Sequence, residues 1–222
     1  MNPEGFAALA RRQPAALAAR LEAAVAAGLG TPVRVAVAAA PDDTAASAGP
    51  EPCRSDAEHQ LGRVALARAL VAAGRAAGGP IAWPCDHASV SHSGGVAVAV
   101  AVPTTAGARG LGVDVEVDRR LRPGLARLFC EPRELAWLDG LAAADRDPAL
   151  LRLWTAKEAL YKADPAQGDA IVADYVVELP ALTRGGRPGA MARLFSIRLG
   201  DATVSVALRS QDQEDDHVEA TR

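Results

Sequence analysis

Two carboxylates in the stretch Gly112-Val113-Asp114-Val115-Glu116-Val117 are spaced to act together. Side chains in a strand alternate between faces, so Val113, Val115 and Val117 point into a core while Asp114 and Glu116 lie side by side opposite them. Carboxylates that close repel each other, and a cation between them relieves the repulsion. Oxygen-only ligands suit Mg²⁺, which keeps waters and shares its shell with substrate phosphates. An edge strand with a solvated acidic face has the same pattern. A second group lies on Leu153-Trp154-Thr155-Ala156-Lys157-Glu158-Ala159-Leu160-Tyr161-Lys162. Trp154, Glu158 and Lys162 recur at i, i+4 and i+8 and share one face of a helix. Glu158 suits a third metal carboxylate or a general base. Lys162 suits a phosphate-binding cation or a proton donor to a leaving group. A stabilising Glu–Lys pair on a helix surface has the same spacing, and Trp154 reads as core packing.

A third group, Ser89-Val90-Ser91-His92-Ser93-Gly94-Gly95, precedes a buried strand. Its glycines let a ligand approach the backbone, and His92 can donate to a phosphate oxygen. A structural histidine fits equally. No G-x-S-x-G elbow is present, so Ser91-His92 does not indicate a hydrolase. Arg54, Arg63, Arg68 and Arg75 form a basic set that suits a phosphate-rich ligand, with Arg68 reading as a solvated side chain. Of 24 basic residues, 22 are Arg and two are Lys, and both lysines, Lys157 and Lys162, fall in one six-residue window. Arg does not replace Lys where a compact, rotatable ammonium must fit.

Several elements must position these groups. Residues 6–28 read as a helix ending at Gly28-Leu29-Gly30, and residues 33–37 as a strand. Residues 40–53 read as a loop, and residues 56–77 as a helix capped by Ser55 or Asp56 and ending near Gly78-Gly79-Pro80. A loop is expected up to Ser93, then strands over 95–102 and 111–117. Helical pattern returns over 123–143, in one or two pieces, and over 147–163. Three short strands near 171–178, 192–199 and 202–208, with a Gly-rich turn at 184–189, complete the fold. The expectation is a mixed α/β (α+β) chain, with an N-terminal half over 1–110, a C-terminal half over 111–209 and an acidic, disordered tail over 210–222.

Composition narrows the function. Half of the 222 residues are hydrophobic and 23% are charged, enough for a solid core. Alanine occurs 51 times, so helices must pack closely on small side chains. The longest apolar run, Val96 to Val102, is seven residues, far short of a membrane span. The start, MNPEGFAALARRQP, has no apolar leader, and Cys53, Cys85 and Cys130 form no CxxC pair. A reduced, cytoplasmic protein without disulfides or a zinc site is expected. A net charge of −3 disfavours a nucleic-acid binder.

Gly112-Val-Asp-Val-Glu116, followed by Trp154-Thr-Ala-Lys-Glu158-Ala-Leu-Tyr-Lys162, resembles the paired signature of the 4′-phosphopantetheinyl transferases. Ser91-His92, Trp83-Pro84 and Ala57-Glu-His-Gln-Leu-Gly-Arg63 look most like the enterobactin-type branch of the surfactin and enterobactin group. The resemblance covers about residues 54–180. It implies two pseudo-symmetric α/β halves with coenzyme A bound in the cleft between them. The implied reaction moves the phosphopantetheine arm of coenzyme A to a serine of an apo acyl, peptidyl or aryl carrier protein, releasing adenosine 3′,5′-bisphosphate. Asp114, Glu116 and Glu158 are implied to hold Mg²⁺, and Glu158, Lys162 and His92 to be catalytic. Coenzyme A contacts are implied at Arg54, Arg63, Arg75, Ser91, His92, Asp114, Lys157, Glu158 and Lys162. The surfactin-type pattern has a basic residue where Gly79 stands, so Arg75 is expected to take over that contact. The family habit is a monomer. Two rivals share these residues: a Mg²⁺-dependent nuclease, and a carrier-binding protein without activity.

Overall fold

The computed structural model describes residues 5–41, 52–77, 83–117, 121 and 124–210, with the backbone alone for 52–55. Of the expected loop over 40–53, residues 42–51 lie outside the described residues, as do the Gly78-Gly79-Pro80 turn and all of the expected tail over 210–222 except Ser210, which is in a strand.

The first expected helix is two helices, α1 (Phe6–Arg12) and α2 (Pro14–Leu29). Pro14 has no N–H to continue the ladder and disfavours helical backbone at the residue before it, and Gln13 indeed sits at φ −140°. Strand β1 (Arg34–Ala39) follows, then α3 (Pro52–Ala72), which begins earlier than the Ser55 or Asp56 cap suggested. β2 (Ala88–Ser93) and β3 (Val96–Ala101) complete an antiparallel sheet in the order β1-β3-β2. β2 lies where a loop was expected. Its serines, not apolar residues, carry the two-residue period, so a hydrophobic pattern cannot reveal it.

The second sheet has five strands in the order β4-β8-β7-β6-β5. They are β4 (Ala108–Val117), β5 (Val176–Val177), β6 (Arg184–Arg187), β7 (Ala190–Leu199) and β8 (Ala202–Ser210). β6 occupies the segment expected to turn, and Gly189 at φ 77° makes the actual turn. The helical segment over 123–143 is α4 (Ala126–Phe129) and α5 (Pro132–Asp139). The long helix α6 (Ala143–Lys162) starts before the expected 147 and carries Pro148 inside it.

Alternation in β3 shows how the layers form. Val96, Val98 and Val100 join β1, β4, β8, α1 and α2 in a core shared by both sheets. Ala97, Ala99 and Ala101 face the other way and pack with Ala65, Ala69 and Ala73 of α3. Methyl groups on both sides bring helix and sheet close, as the alanine count suggested. α6 covers the outer face of the second sheet through Leu153, Ala156 and Leu160. Each sheet thus carries one long helix outside and shares the valine core inside.

Two buried polar groups anchor α6. Asp164, just past its end, accepts from Tyr175 Oη at 2.9 Å, from Arg187 Nε at 2.8 Å and from Arg209 at 3.3 Å. Burial alone would raise its pKa, but hydrogen bonds from Arg187, the Ala166 amide and Tyr175 outweigh burial and lower it. Midway along, Lys157 pairs with Glu134 of α5 at 2.6 Å, both fully buried. Glu134 also closes the capping box of α5 with Glu131.

The fit of α6 against β4 generates the first prediction. A Cβ on Gly110 would overlap the carbonyl of Ala163, and one on Gly112 the carbonyl of Ala159. Both contacts are backbone, so neither can rotate away. Gly112→Ala is expected to destabilise the fold by about 1–3 kcal/mol or more in chemical denaturation. Gly62→Ala on α3 is the control. Its Cβ would meet Val90 at 3.5 Å, an ordinary contact, and removing a helix-interior glycine should add roughly 0.5–1 kcal/mol.

Candidate active site

Close approach of α6 to β4 creates the site. On one face of β4 the residues run Gly110, Gly112, Asp114, Glu116. The helix backbone rests on the two glycines, and the carboxylates follow where the helix presents its Trp154, Glu158 and Lys162 stripe. Lys162 Nζ donates to Asp114 Oδ1 at 2.7 Å, to the Val113 carbonyl at 3.3 Å and to Ser91 Oγ at 3.4 Å. Trp154 Nε1 donates to Glu116 Oε1 at 3.3 Å. The valines of β4 point into the shared core, as alternation requires.

The other wall comes from the first sheet. Ser91 Oγ donates to Asp114 Oδ1 at 2.8 Å and Ser93 Oγ to Glu116 Oε2 at 2.9 Å. The Val113 and Val117 amides donate to Ser89 Oγ at 3.0 Å and to Ser93 Oγ at 3.2 Å. β2 and β4 are edge strands of different sheets, and serine hydroxyls join them. His92 Nδ1 lies 3.5 Å from Glu58 Oε2, and its ring meets His59 edge-on at 5.4 Å. The elements enclose a cavity of about 950 Å³ lined by Arg63, Ser91, His92, Asp114, Glu116, Trp154, Glu158 and Lys162. Gly62, Leu66, Leu70 and Trp83 supply an apolar side.

The cavity is electrostatically strained. Burial raises the pKa of Glu158, Asp114 and Glu116 raise it further, and Lys162 only partly opposes them. Among the described residues no hydrogen bond reaches the Glu158 carboxylate. Asp114 Oδ2 is buried with no hydrogen-bond partner. An orphaned carboxylate oxygen costs free energy unless a cation or donor meets it. The donors are all hard oxygens, of the kind Mg²⁺ prefers. As placed, no three acidic, His or Cys groups among the described residues stand together as a ready metal cluster. Donor chemistry and the orphaned oxygen therefore fit a divalent cation, with Lys162 supplying the positive charge at Asp114.

Most of the expected residues meet here: Arg63, Ser91, His92, Asp114, Glu116, Glu158 and Lys162 line one cavity. Lys157 does not, and its expected ligand role is corrected. It lies on another face of α6, its ammonium bonded to the Phe129 carbonyl at 2.6 Å and to Glu134. Arg75 stands apart from this cavity. Its Nε donates to the Val102 carbonyl at 2.8 Å. Arg54 stands in the first turn of α3, where side chains lie outside the described residues. Sequence reasoning left out Ser93; Trp154, read as core packing, does pack on the second core against Phe129 and also lines the cavity. The helical stripe shared with Glu158 and Lys162 is the signal that identifies Trp154.

A carboxylate cluster with a lysine and a histidine around a large cleft has the donor types that a phosphate-bearing ligand and a divalent cation use. Residues 110–176 match the family model of the 4′-phosphopantetheinyl transferase superfamily. The match covers less than a third of the chain and includes Asp114, Glu116, Glu158 and Lys162. It supports a transferase of the phosphopantetheinyl type. No curated protein matches the chain. No helix among the described residues is long and apolar enough to cross a membrane.

Two predictions separate scaffold from site. Lys157→Met leaves the Glu134 charge buried and unpaired, and a stability loss of ~3–5 kcal/mol is expected in denaturant titration. Ligand affinity of the folded fraction should stay at the parent value. Glu158→Gln has the opposite sign. The raised pKa means that the native state binds this proton more readily than the unfolded chain, so stability falls as pH rises through the carboxylate range. The glutamine variant should be more stable than the parent at about pH 8, with the advantage vanishing as pH falls below about 4.

Proposed function

We propose that the protein transfers the 4′-phosphopantetheine arm of coenzyme A to a serine hydroxyl of an apo acyl, peptidyl or aryl carrier protein. Adenosine 3′,5′-bisphosphate leaves. The observation that carries this reading is the meeting of Asp114 and Glu116 on β4 with Glu158 and Lys162 on α6 in one cavity, inside the segment that matches the transferase superfamily. β2 and α3 contribute one wall and β4 with α6 the other, and the expected boundary at 110/111 falls inside β4.

The residues divide the work. Asp114, Glu116 and Glu158 would hold Mg²⁺, whose charge, when bound, offsets that of the pyrophosphate oxygens. The carrier hydroxyl attacks the phosphorus bearing the pantetheine arm. The bond from that phosphorus to the bridging oxygen breaks, and its electrons leave with the nucleotide phosphate. A serine hydroxyl is a weak nucleophile and needs a base. Glu158 takes the proton, directly or through a water, and its raised proton affinity suits that role. Lys162 neutralises the departing phosphate. His92, Arg63 and Ser91 bind phosphate oxygens from the first-sheet wall. Such catalysis is mainly positioning and charge neutralisation.

The test is intact mass spectrometry of an apo carrier protein incubated with this protein, coenzyme A and Mg²⁺. A gain of one phosphopantetheine arm that disappears with EDTA is expected. Bound coenzyme A with no gain on any carrier would favour carrier binding without activity. Neither binding nor gain would overturn the reading in favour of another phosphodiester enzyme. Lys162→Arg should lose most of the turnover although it keeps the charge, because three oxygens surround one compact ammonium.

A further inference from the structure

We propose that Ser93 is a positioning residue that fixes the orientation of Glu116 from across the seam between the two sheets. The inference rests on the metal role given to Glu116 above.

β2 and β4 do not pair as a ladder; each is the edge of its own sheet. Edge strands present unpaired backbone groups, and here β2 answers those of β4 with hydroxyls. A serine hydroxyl has one proton and two lone pairs. The Ser93 oxygen accepts the Val117 amide at 3.2 Å, and its proton goes to Glu116 Oε2 at 2.9 Å. Backbone therefore fixes where the oxygen sits, and the oxygen fixes where the carboxylate points. Trp154 Nε1 holds the second oxygen, Oε1, at 3.3 Å. A carboxylate gripped at both oxygens from opposite walls cannot rotate away.

Restraint is needed at this position. A glutamate loses about 1.5–2 kcal/mol of rotamer entropy when ordered. The neighbouring acids would drive it away from Asp114 and Glu158, as their influence on Glu158 indicates. Asp114 has a shorter side chain and is held by Ser91 and Lys162. Glu116 is the longer and more mobile of the strand carboxylates, so it gains most from an outside donor. Ser93 lies outside the segment that matches the transferase superfamily. It therefore acts on that segment's carboxylate from the first sheet. Removing such an outer hydrogen bond to a metal-holding group typically costs 10–100-fold in metal affinity.

The experiment titrates Mn²⁺ into the full chain saturated with coenzyme A and reads free Mn²⁺ by its paramagnetic resonance signal. Ser93→Ala is expected to bind Mn²⁺ roughly 10–100-fold more weakly. Its affinity for coenzyme A, measured by calorimetry in EDTA, should be unchanged. Ser93→Thr, which keeps the hydroxyl, should restore parent metal affinity. In turnover, the metal concentration for half activity should rise while the KM for coenzyme A holds. A folded Ser93→Ala with the parent's Mn²⁺ affinity overturns the proposal. If that variant does not fold, Ser93→Cys keeps the shape with a weaker donor and should also bind Mn²⁺ more weakly, and parent affinity in it is equally fatal. A parent chain that binds no Mn²⁺ removes the metal reading itself and this proposal with it.

Discussion

The structure depends on how close a helix can come to a strand. α6 lies on β4 with its backbone where side chains would normally stand, because Gly110 and Gly112 have none. Two residues further along the same face, Asp114 meets Lys162 and Glu116 meets Trp154 at hydrogen-bonding range, with Glu158 between them on the helix. At an ordinary helix–sheet distance a lysine could still reach across, but the indole and the short aspartate could not both be engaged. The alternation Gly, Gly, Asp, Glu therefore works as a ruler. Small residues set the spacing at one end, and the acids use it at the other. Asp164 then locks the helix end to β6 and β8 through Arg187 and Arg209.

The two lysines show how one compositional signal can hold two causes. Both occupy places that a guanidinium would not fill. Lys162 has three ammonium protons and three oxygen acceptors, on Asp114, Val113 and Ser91. Lys157 is fully buried between the Phe129 carbonyl and Glu134. A planar group with five donors would leave some unpaired there, at the cost attached to any buried donor. A chain that otherwise uses Arg keeps Lys where geometry demands a point-like cation. One such place is the cavity and the other is the scaffold. Composition marks the geometric demand and does not distinguish the two.

What was legible in the sequence follows from periodicity. The two-residue period placed Asp114 beside Glu116, and the helical period placed Glu158 beneath Lys162 and beside Trp154. The same period separates Lys157 from Glu158 by about 100° of rotation, so their adjacency in sequence carries no spatial meaning. The β2 seam was not legible. Its strand period is written in serine, which reads as loop, and its partner lies across a contact between two sheets that no local pattern encodes. The place of Arg75 was not legible for a related reason. The helix expected over 56–77 ends at Ala72, so Arg75 stands beyond it, and the Val102 carbonyl that takes its Nε is reached only by tertiary packing.

Charge gives the last constraint on chemistry. The cavity wall holds three acids, Asp114, Glu116 and Glu158, against Lys162 and Arg63. A ligand rich in phosphate would meet like charge on β4, and Coulomb repulsion at a few ångströms in a half-buried site amounts to several kcal/mol. Arg63 and His92 sit on the opposite wall and cannot screen β4. Lys162 already answers Asp114, yet Asp114 Oδ2 remains without a hydrogen-bond partner, and burial with the neighbouring acids still raises the pKa of Glu158. Among the described residues the three acids that line the cavity outnumber the two cations, Lys162 and Arg63, that line it with them. A surface shaped for solvent would relieve that by turning its acids outward. Here serine donors from another sheet hold two of them inward, so the fold keeps the acids facing the cavity against their mutual repulsion.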